Sequence, residues 1–281
     1  HAARALNAEL WDVEGRRFLD LTAGIAVTNT GHRHPRVMAA VARQAEAFTH
    51  TCFHVAPFED YIRLCERLNA LIETGEPNKA MLVTTGAEAV ENAVKIARAA
   101  TGRRGIIAFS GSFHGRTAMG MALTGKVAPY KRSFGPLPGE IFHAQFPNAL
   151  HGTSVEAALA SVASILASDI APEDVAAFII EPVQGEGGFN ITPPAFLQAL
   201  RGLADRHGIL LIADEVQGGM ARTGRMLSIE HAGVTPDLVT LAKGLAGGFP
   251  LSAVVGKARI MDAAHAGGLG GTYAGNPLAV A

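Results

Sequence analysis

Ile209-Leu-Leu-Ile-Ala-Asp-Glu-Val-Gln217 is five apolar residues running straight into a carboxylate. A strand with one wet face alternates apolar and polar residues, whereas an unbroken apolar run of this length suits a strand covered on both faces. Val175-Ala-Ala-Phe-Ile-Ile180 has the same character. Outward from these two, strands are expected at Ala80–Thr84, Gly105–Phe109, Leu238–Ala242 and Ala253–Val255. Helical patterns lie between them. Ala87–Ala100 places Val90, Ala93, Val94 and Ala97 on one face and pairs Glu91 with Lys95, while Pro194–Arg206 opens on a proline. The alternation predicts an α/β fold with a mostly parallel central sheet flanked by helices.

The 281 residues are 48% apolar and 17% charged, which excludes a disordered chain and is enough for one or two domains with a sizeable core. Lys and Arg total 24 against 25 Asp and Glu, a formal charge of −1, so no electrostatic footprint for nucleic acid or an acidic membrane is visible. Cys52 and Cys65 are the only cysteines. Two thiols make no disulfide framework and predict a reducing, cytoplasmic setting. His1–Asn7 lacks the basic start and apolar run of a secretory signal. The longest uncharged stretch, Ala263–Ala281, is broken by glycines, Asn276 and Pro277 and reads as loop, not as a membrane span. Asn276-Pro277 looks like a helix start just before Ala281, so the chain is expected to be cut at both ends.

Ligands of open α/β sheets bind beyond the carboxyl ends of the strands. Thr85-Gly86-Ala87 follows one strand and opens a helix, where free backbone N–H groups and the helix dipole make an anion cup. Asp214 ends the decisive strand; a carboxylate there needs a cationic or hydrogen-bonding partner, or is a helix-capping or ion-paired residue. Continued strand alternation would put Asp214 and Val216 on one side. Lys243 lies between Val239-Thr-Leu-Ala242 and Gly244-Leu-Ala-Gly-Gly248. Small and apolar neighbours disfavour its ammonium form and leave a nucleophilic amine, the alternative being a surface lysine. An anion cup, a strand-end Asp and a strand-end Lys together match what pyridoxal 5'-phosphate (PLP) requires.

Two other motifs lead elsewhere. Gly120-Met-Ala-Leu-Thr-Gly125-Lys126 has nucleotide-loop spacing, but Val127 offers no hydroxyl for magnesium and Pro129 would break the following helix. His50, Cys52 and His54 could approach zinc, yet on a helix Cys52 points away and no second pair stands at suitable spacing. No metal is expected.

Longer matches are Gly24-Ile-Ala-Val27, Asn29-Thr-Gly-His32, Thr85-Gly-Ala-Glu-Ala-Val-Glu-Asn-Ala-Val-Lys-Ile-Ala-Arg98, His114-Gly-Arg-Thr117, Glu181-Pro-Val-Gln-Gly-Glu-Gly-Gly188, Ala213-Asp-Glu-Val-Gln217 and Gly270-Gly-Thr-Tyr-Ala-Gly-Asn-Pro277. Over essentially the whole chain the sequence resembles the class III aminotransferases of fold type I, and within them the 4-aminobutyrate aminotransferases. The resemblance implies that residues 1–45 belong to a smaller domain, that 46–281 form the large PLP-binding domain, and that a C-terminal domain lies outside this chain. It implies that Lys243 holds PLP as an imine and moves the proton, and that Asp214 keeps the ring nitrogen protonated. Gly86 and Ala87 would bind the phosphate, with Thr272 reaching the phosphate of the neighbouring subunit in a homodimer or dimer of dimers. Phe113 and Val216 would sandwich the ring, and Gln217 would bond its hydroxyl oxygen. Arg116 would clamp a carboxylate, Ile25 would line the substrate channel, and Glu186 would pair with a second arginine outside this chain.

The implied reaction moves the amino group of 4-aminobutyrate to 2-oxoglutarate. Alternatives are a 5-aminovalerate, ornithine-type or other ω-amino acid aminotransferase, an aminomutase, or a PLP-binding protein without turnover. Two positions depart from the pattern: Ala221 stands where the turn after Gln217 usually has Gly, and Gly244 where many relatives have Ser.

Overall fold

A computed structural model describes residues 1–281. The chain opens with an antiparallel meander of β1 (Ala2–Leu6), β2 (Glu9–Asp12) and β3 (Arg17–Leu19), followed by helices Pro35–Ala47 and Glu59–Leu71. The first of these helices passes through residue 45, the position at which the two domains were expected to meet. The central sheet contains β4 (Asn78–Val83), β5 (Gly105–Phe109), β6 (Ile141–Ala144) and β7 (Val175–Ile180). A small hairpin of β8 (Val183–Gln184) and β9 (Asn190–Ile191) intervenes, and β10 (Leu210–Asp214), β11 (Leu238–Leu241) and β12 (Ser252–Lys257) complete the sheet.

The order across the seven strands is β4-β12-β11-β10-β7-β5-β6. Strands β11, β10, β7, β5 and β6 pair in parallel, and β12 runs antiparallel to both its neighbours, so "mostly parallel" holds. Two reversals return β4 to the direction of β10. The carboxyl ends of β4, β5, β7, β10 and β11 therefore open on one edge.

Every residue of β7 and β10 is buried because helices cover both faces. One apolar cluster joins Phe109, Phe178 and Leu211 to helices Val155–Ser168 and Pro194–His207. The other joins Ile106, Ile179 and Ile212 to helix Gly86–Thr101 through Ala89, Val90, Ala93, Val94 and Ala97. Burying a Phe or Ile of this kind contributes about 1.5–3 kcal/mol. Helix Gly86–Thr101 is fixed at its start by a capping box: Thr85 Oγ1 accepts from the Glu88 N–H at 3.2 Å and Glu88 Oε2 accepts from the Thr85 N–H at 2.8 Å. That cap is worth about 1 kcal/mol and leaves the amides of Gly86 and Ala87 without intrahelical acceptors.

The turn after β10 answers the departure at Ala221. Met220 and Ala221 both take left-handed backbone, with φ of +54° and +64°. Asn29 Nδ2 donates to the Met220 carbonyl at 2.9 Å, and the buried Glu215 carboxylate accepts from the N–H groups of Ser228 at 3.0 Å and Ile229 at 2.8 Å. These contacts hold a conformation that glycine adopts freely and alanine resists. Ala221→Gly is expected to raise the unfolding free energy by about 1 kcal/mol, read from denaturant midpoints, with no change in cofactor content.

Candidate active site

The sheet edge carries a cavity of about 700 Å³ lined by Thr85, Gly86, Ala87, Phe113, His114, Arg116, Glu181, Asp214, Val216, Gln217 and Lys243, with Phe249, Pro250 and Leu251 before β12. Each strand end supplies one group because the five carboxyl ends converge there.

Asp214 is buried at the mouth of β10. Its Oδ2 is 2.7 Å from His114 Nδ1, and its Oδ1 accepts from the Thr240 hydroxyl at 3.0 Å and the Val216 N–H at 3.1 Å. Three donors thus hold one carboxylate in place. The Val216 bond closes a turn, so the strand geometry expected to carry Asp214 and Val216 to one side stops at Asp214. Val216 reaches the cavity through that turn instead. His114 is fully enclosed: burial works against its charged form, but the bond and charge of Asp214 outweigh it and raise its pKa. Its Nε2 is buried without a partner.

Glu181, just past β7, is also buried, and its carboxylate accepts from the N–H groups of Phe113 at 2.9 Å and Gly185 at 3.2 Å. Burial pushes its pKa up to about 7, with the His114 charge opposing and the Asp214 charge adding. Lys243 follows β11 in left-handed backbone, φ +46°. Its half-buried amine is lowered in pKa by burial, against the pull of the Asp214, Glu186 and Glu181 charges. At the helix start, a Cβ on Gly86 would lie 2.9 Å from Val216 Cγ1. The cup therefore has space for an anion on backbone amides and none for a side chain.

The family profile described as Aminotransferase class-III matches residues 1–281. The chain belongs to the class III aminotransferases. Over 278 residues it is 58% identical to the 4-aminobutyrate aminotransferase GabT of Escherichia coli K12, covering 99% of this chain and 65% of that protein. It is also 58% identical to the 5-aminovalerate aminotransferase DavT of Pseudomonas putida, again over 99% of this chain and 65% of the relative. Among solved structures, the taurine:2-oxoglutarate aminotransferase of Bifidobacterium kashiwanohense, in complex with PLP and glutamate, superposes with a TM-score of 0.93 at 30% identity, over 99% of this chain and 65% of that one. The chain thus spans slightly less than two thirds of the length of these class III aminotransferases.

Other expected residues fall outside the cavity. Ile25 is 64% exposed, two residues before the cavity-lining Val27. Glu186 adjoins the site through Tyr130, whose hydroxyl donates to Glu186 Oε2 at 3.4 Å. Thr272 is exposed and lines a separate cavity with Cys52, His54, Lys95 and the glycine-rich loop Gly267–Gly271. Gly125 is not a nucleotide loop: its carbonyl accepts from Gly111 N–H at 3.0 Å and its N–H donates to Ser112 O at 2.9 Å. No group of three or more His, Cys, Asp or Glu converges as a metal site, and no helix is long and apolar enough to cross a membrane.

Sequence reasoning passed over His114, Glu181, Thr240 and Tyr130 as individual residues. The first two sit inside motifs quoted for the resemblance. Thr240 and Tyr130 carry no local signal, since their partners are distant in sequence.

Proposed function

We propose that this chain binds PLP on Lys243 and, within the whole protein, transfers the amino group of 4-aminobutyrate to 2-oxoglutarate, giving succinate semialdehyde and glutamate. The observation that carries the reading is the half-buried Lys243 amine sharing one cavity with the three-donor Asp214 carboxylate and the open amides at Gly86 and Ala87. A cationic ring nitrogen, an aldehyde and a phosphate each find a chemical complement there. When bound, PLP supplies the aldehyde and an electron-accepting ring.

Lys243 would hold the cofactor through its amine, and the same amine, when free, would move a proton at the amine-bearing carbon of the substrate. Burial favours its neutral form, the form both tasks need. Asp214 presents a fixed negative charge that favours a protonated ring nitrogen, and His114 supports that charge from behind. Gly86 and Ala87 bind phosphate through N–H groups. Phe113 and Val216 flank the ring, and Gln217 bonds its hydroxyl oxygen.

Arg116 takes a substrate carboxylate in the two-pronged manner open to guanidinium. Ile25 lines the substrate channel, and Glu186 answers an arginine beyond this chain. Thr272, exposed and outside the cavity of its own chain, reaches the phosphate of a partner in a homodimer or dimer of dimers. The cytoplasmic setting rests on two free thiols, Cys52 and Cys65.

A second donor has its own support, the equal identity to 5-aminovalerate and 4-aminobutyrate aminotransferases. Half-reaction spectra of the full-length protein separate them. Adding 4-aminobutyrate is expected to remove the visible cofactor band, and 2-oxoglutarate to restore it. A band that responds only to 5-aminovalerate or ornithine would reassign the donor, and one unmoved by any ω-amino acid would mean binding without turnover.

A further inference from the structure

Ala23, Gly24, Ile25 and Ala26 stand one after another in left-handed backbone, with φ of +48°, +64°, +64° and +60°. Glycine alone takes that region freely, and a β-branched residue such as Ile25 resists it most. The run ends at Val27, which lines the cavity. A local shape this unfavourable persists only where its surroundings over-determine it.

Asp20 and His32 supply that constraint from either side of the run. Asp20 Oδ1 accepts from the Thr22 N–H at 3.1 Å, the Thr22 hydroxyl at 2.8 Å and the Ala23 N–H at 3.0 Å, while Oδ2 lies 2.7 Å from His32 Nε2. The His32 bond first, then that of the Thr22 hydroxyl, lowers the Asp20 pKa to about 2. Backbone bonds seat both residues on the turn between β1 and β2. The Asp20 N–H donates to the Ala8 carbonyl at 2.8 Å, and His32 exchanges two bonds with Asn7, at 2.8 and 3.0 Å. Residues 21–31 are thus a loop closed at its neck, and Asn29 pins the far side to the Met220 carbonyl at 2.9 Å.

We propose that the Asp20–His32 pair is a clasp that holds this loop in its strained shape, and so fixes Ile25 and Val27 as the channel wall that sets which length of ω-amino acid is accepted. The inference rests on the aminotransferase reading given above and adds a determinant of specificity to it. Neither residue lines the cavity, so both act through the loop as positioning residues. A loosened wall tells apart less well the donors that differ by one methylene, a distinction worth about 10–200-fold in a well-formed apolar pocket.

The test uses the full-length PLP-loaded enzyme and two readouts. One is amide hydrogen exchange, followed by mass spectrometry, across residues 21–31. The other is the spread of kcat/KM over 3-aminopropanoate, 4-aminobutyrate, 5-aminovalerate and 6-aminohexanoate. The N–H groups of Ala26, Val27 and Thr28 donate to the carbonyls of Thr22 and Ala23 inside the loop, so they report its closure. Opening the clasp from either end, by Asp20→Ala or His32→Ala, is expected to speed their exchange at least about tenfold. The spread should shrink about tenfold, the low end of what a methylene is worth. Borohydride-trappable PLP and exchange in β7 and β10 should stay at wild-type values.

The double variant should be no worse than the worse single one, because a clasp is lost only once. His32→Gln carries an amide N–H to about the place of Nε2 and is expected to restore both readouts to within about threefold. The inference is overturned if exchange or spread stays at its wild-type value in either single variant, if the two losses add, or if His32→Gln restores neither. A wild-type spread below about threefold would overturn it too, since there would be no selectivity for the loop to set. Wild type that transaminates none of the four donors would sink the aminotransferase reading, while the exchange series would still decide the clasp.

Discussion

Lys243→Ala is expected to yield a protein that still takes up PLP but no longer holds it covalently, with turnover lower by at least about 10⁴-fold, since the nucleophile and the proton carrier are lost together. No other lysine can take over. Lys243 alone among the lysines lines the cavity. Lys79 is bound to Asp262 at 2.7 Å, Lys95 to the Gly268 carbonyl at 2.7 Å, Lys131 to the Ala122 carbonyl at 3.2 Å and Lys257 to Asp237 at 2.6 Å. The change should be mild for the fold, because alanine keeps the left-handed backbone that the loop already imposes at φ +46°. Borohydride reduction followed by tryptic mass mapping reads the outcome. In wild type the reduced adduct should sit on Lys243, and in the variant no adduct should form. An adduct that survives the substitution, or that maps to another peptide, removes the basis for the whole reading.

Much of this architecture is legible in the chain itself, for reasons that differ from element to element. Strands β7 and β10 are plain because burial on both faces demands unbroken apolar runs. Helix Gly86–Thr101 is plain because its buried face repeats with helical period and its start carries Thr85 and Glu88. Asp214 and Lys243 stand out because a charge at the end of an apolar strand is costly unless something answers it.

Other features are set by contacts that no local pattern encodes. The reversed direction of β12 leaves no trace in Ser252–Lys257, since an apolar strand reads alike in both directions. Strand β6, Ile-Phe-His-Ala at positions 141–144, sits at a sheet edge, and its half-exposed residues carry little periodicity. Val216 reaches the cavity through a turn that Asp214 itself closes, so period-two reasoning fails one residue past the strand. His114 finds Asp214 across 100 positions of sequence. Arg116 enters only through the family resemblance, and its seat beside Tyr130 depends on how the loop before β6 folds back.

Asp214→Asn is expected to lower turnover on the order of 10³-fold and to change how the fold responds to pH. The wild-type carboxylate is negative, acceptor-only and matched to three donors, from His114, Thr240 and Val216. An amide turns one of its two atoms into a donor, so either His114 must become neutral and accept at Nδ1, or the bonds from Thr240 and Val216 are lost. His114 loses its anion while remaining fully buried, and its pKa, raised in wild type, should fall.

The sign of the pH effect follows from linkage. A histidine whose folded pKa lies above the unfolded value of about 6.5 adds stability that is complete below that value and is lost as pH rises through the folded one. The difference in unfolding free energy between wild type and Asp214→Asn should therefore be fully developed below about pH 6.5, at roughly 3–5 kcal/mol for a broken buried pair, and should narrow as pH rises above it. Denaturant titrations at several pH values measure it. A pH-independent difference would mean that His114 is neutral beside Asp214, and that the Asp214 carboxylate is held by hydrogen bonds alone.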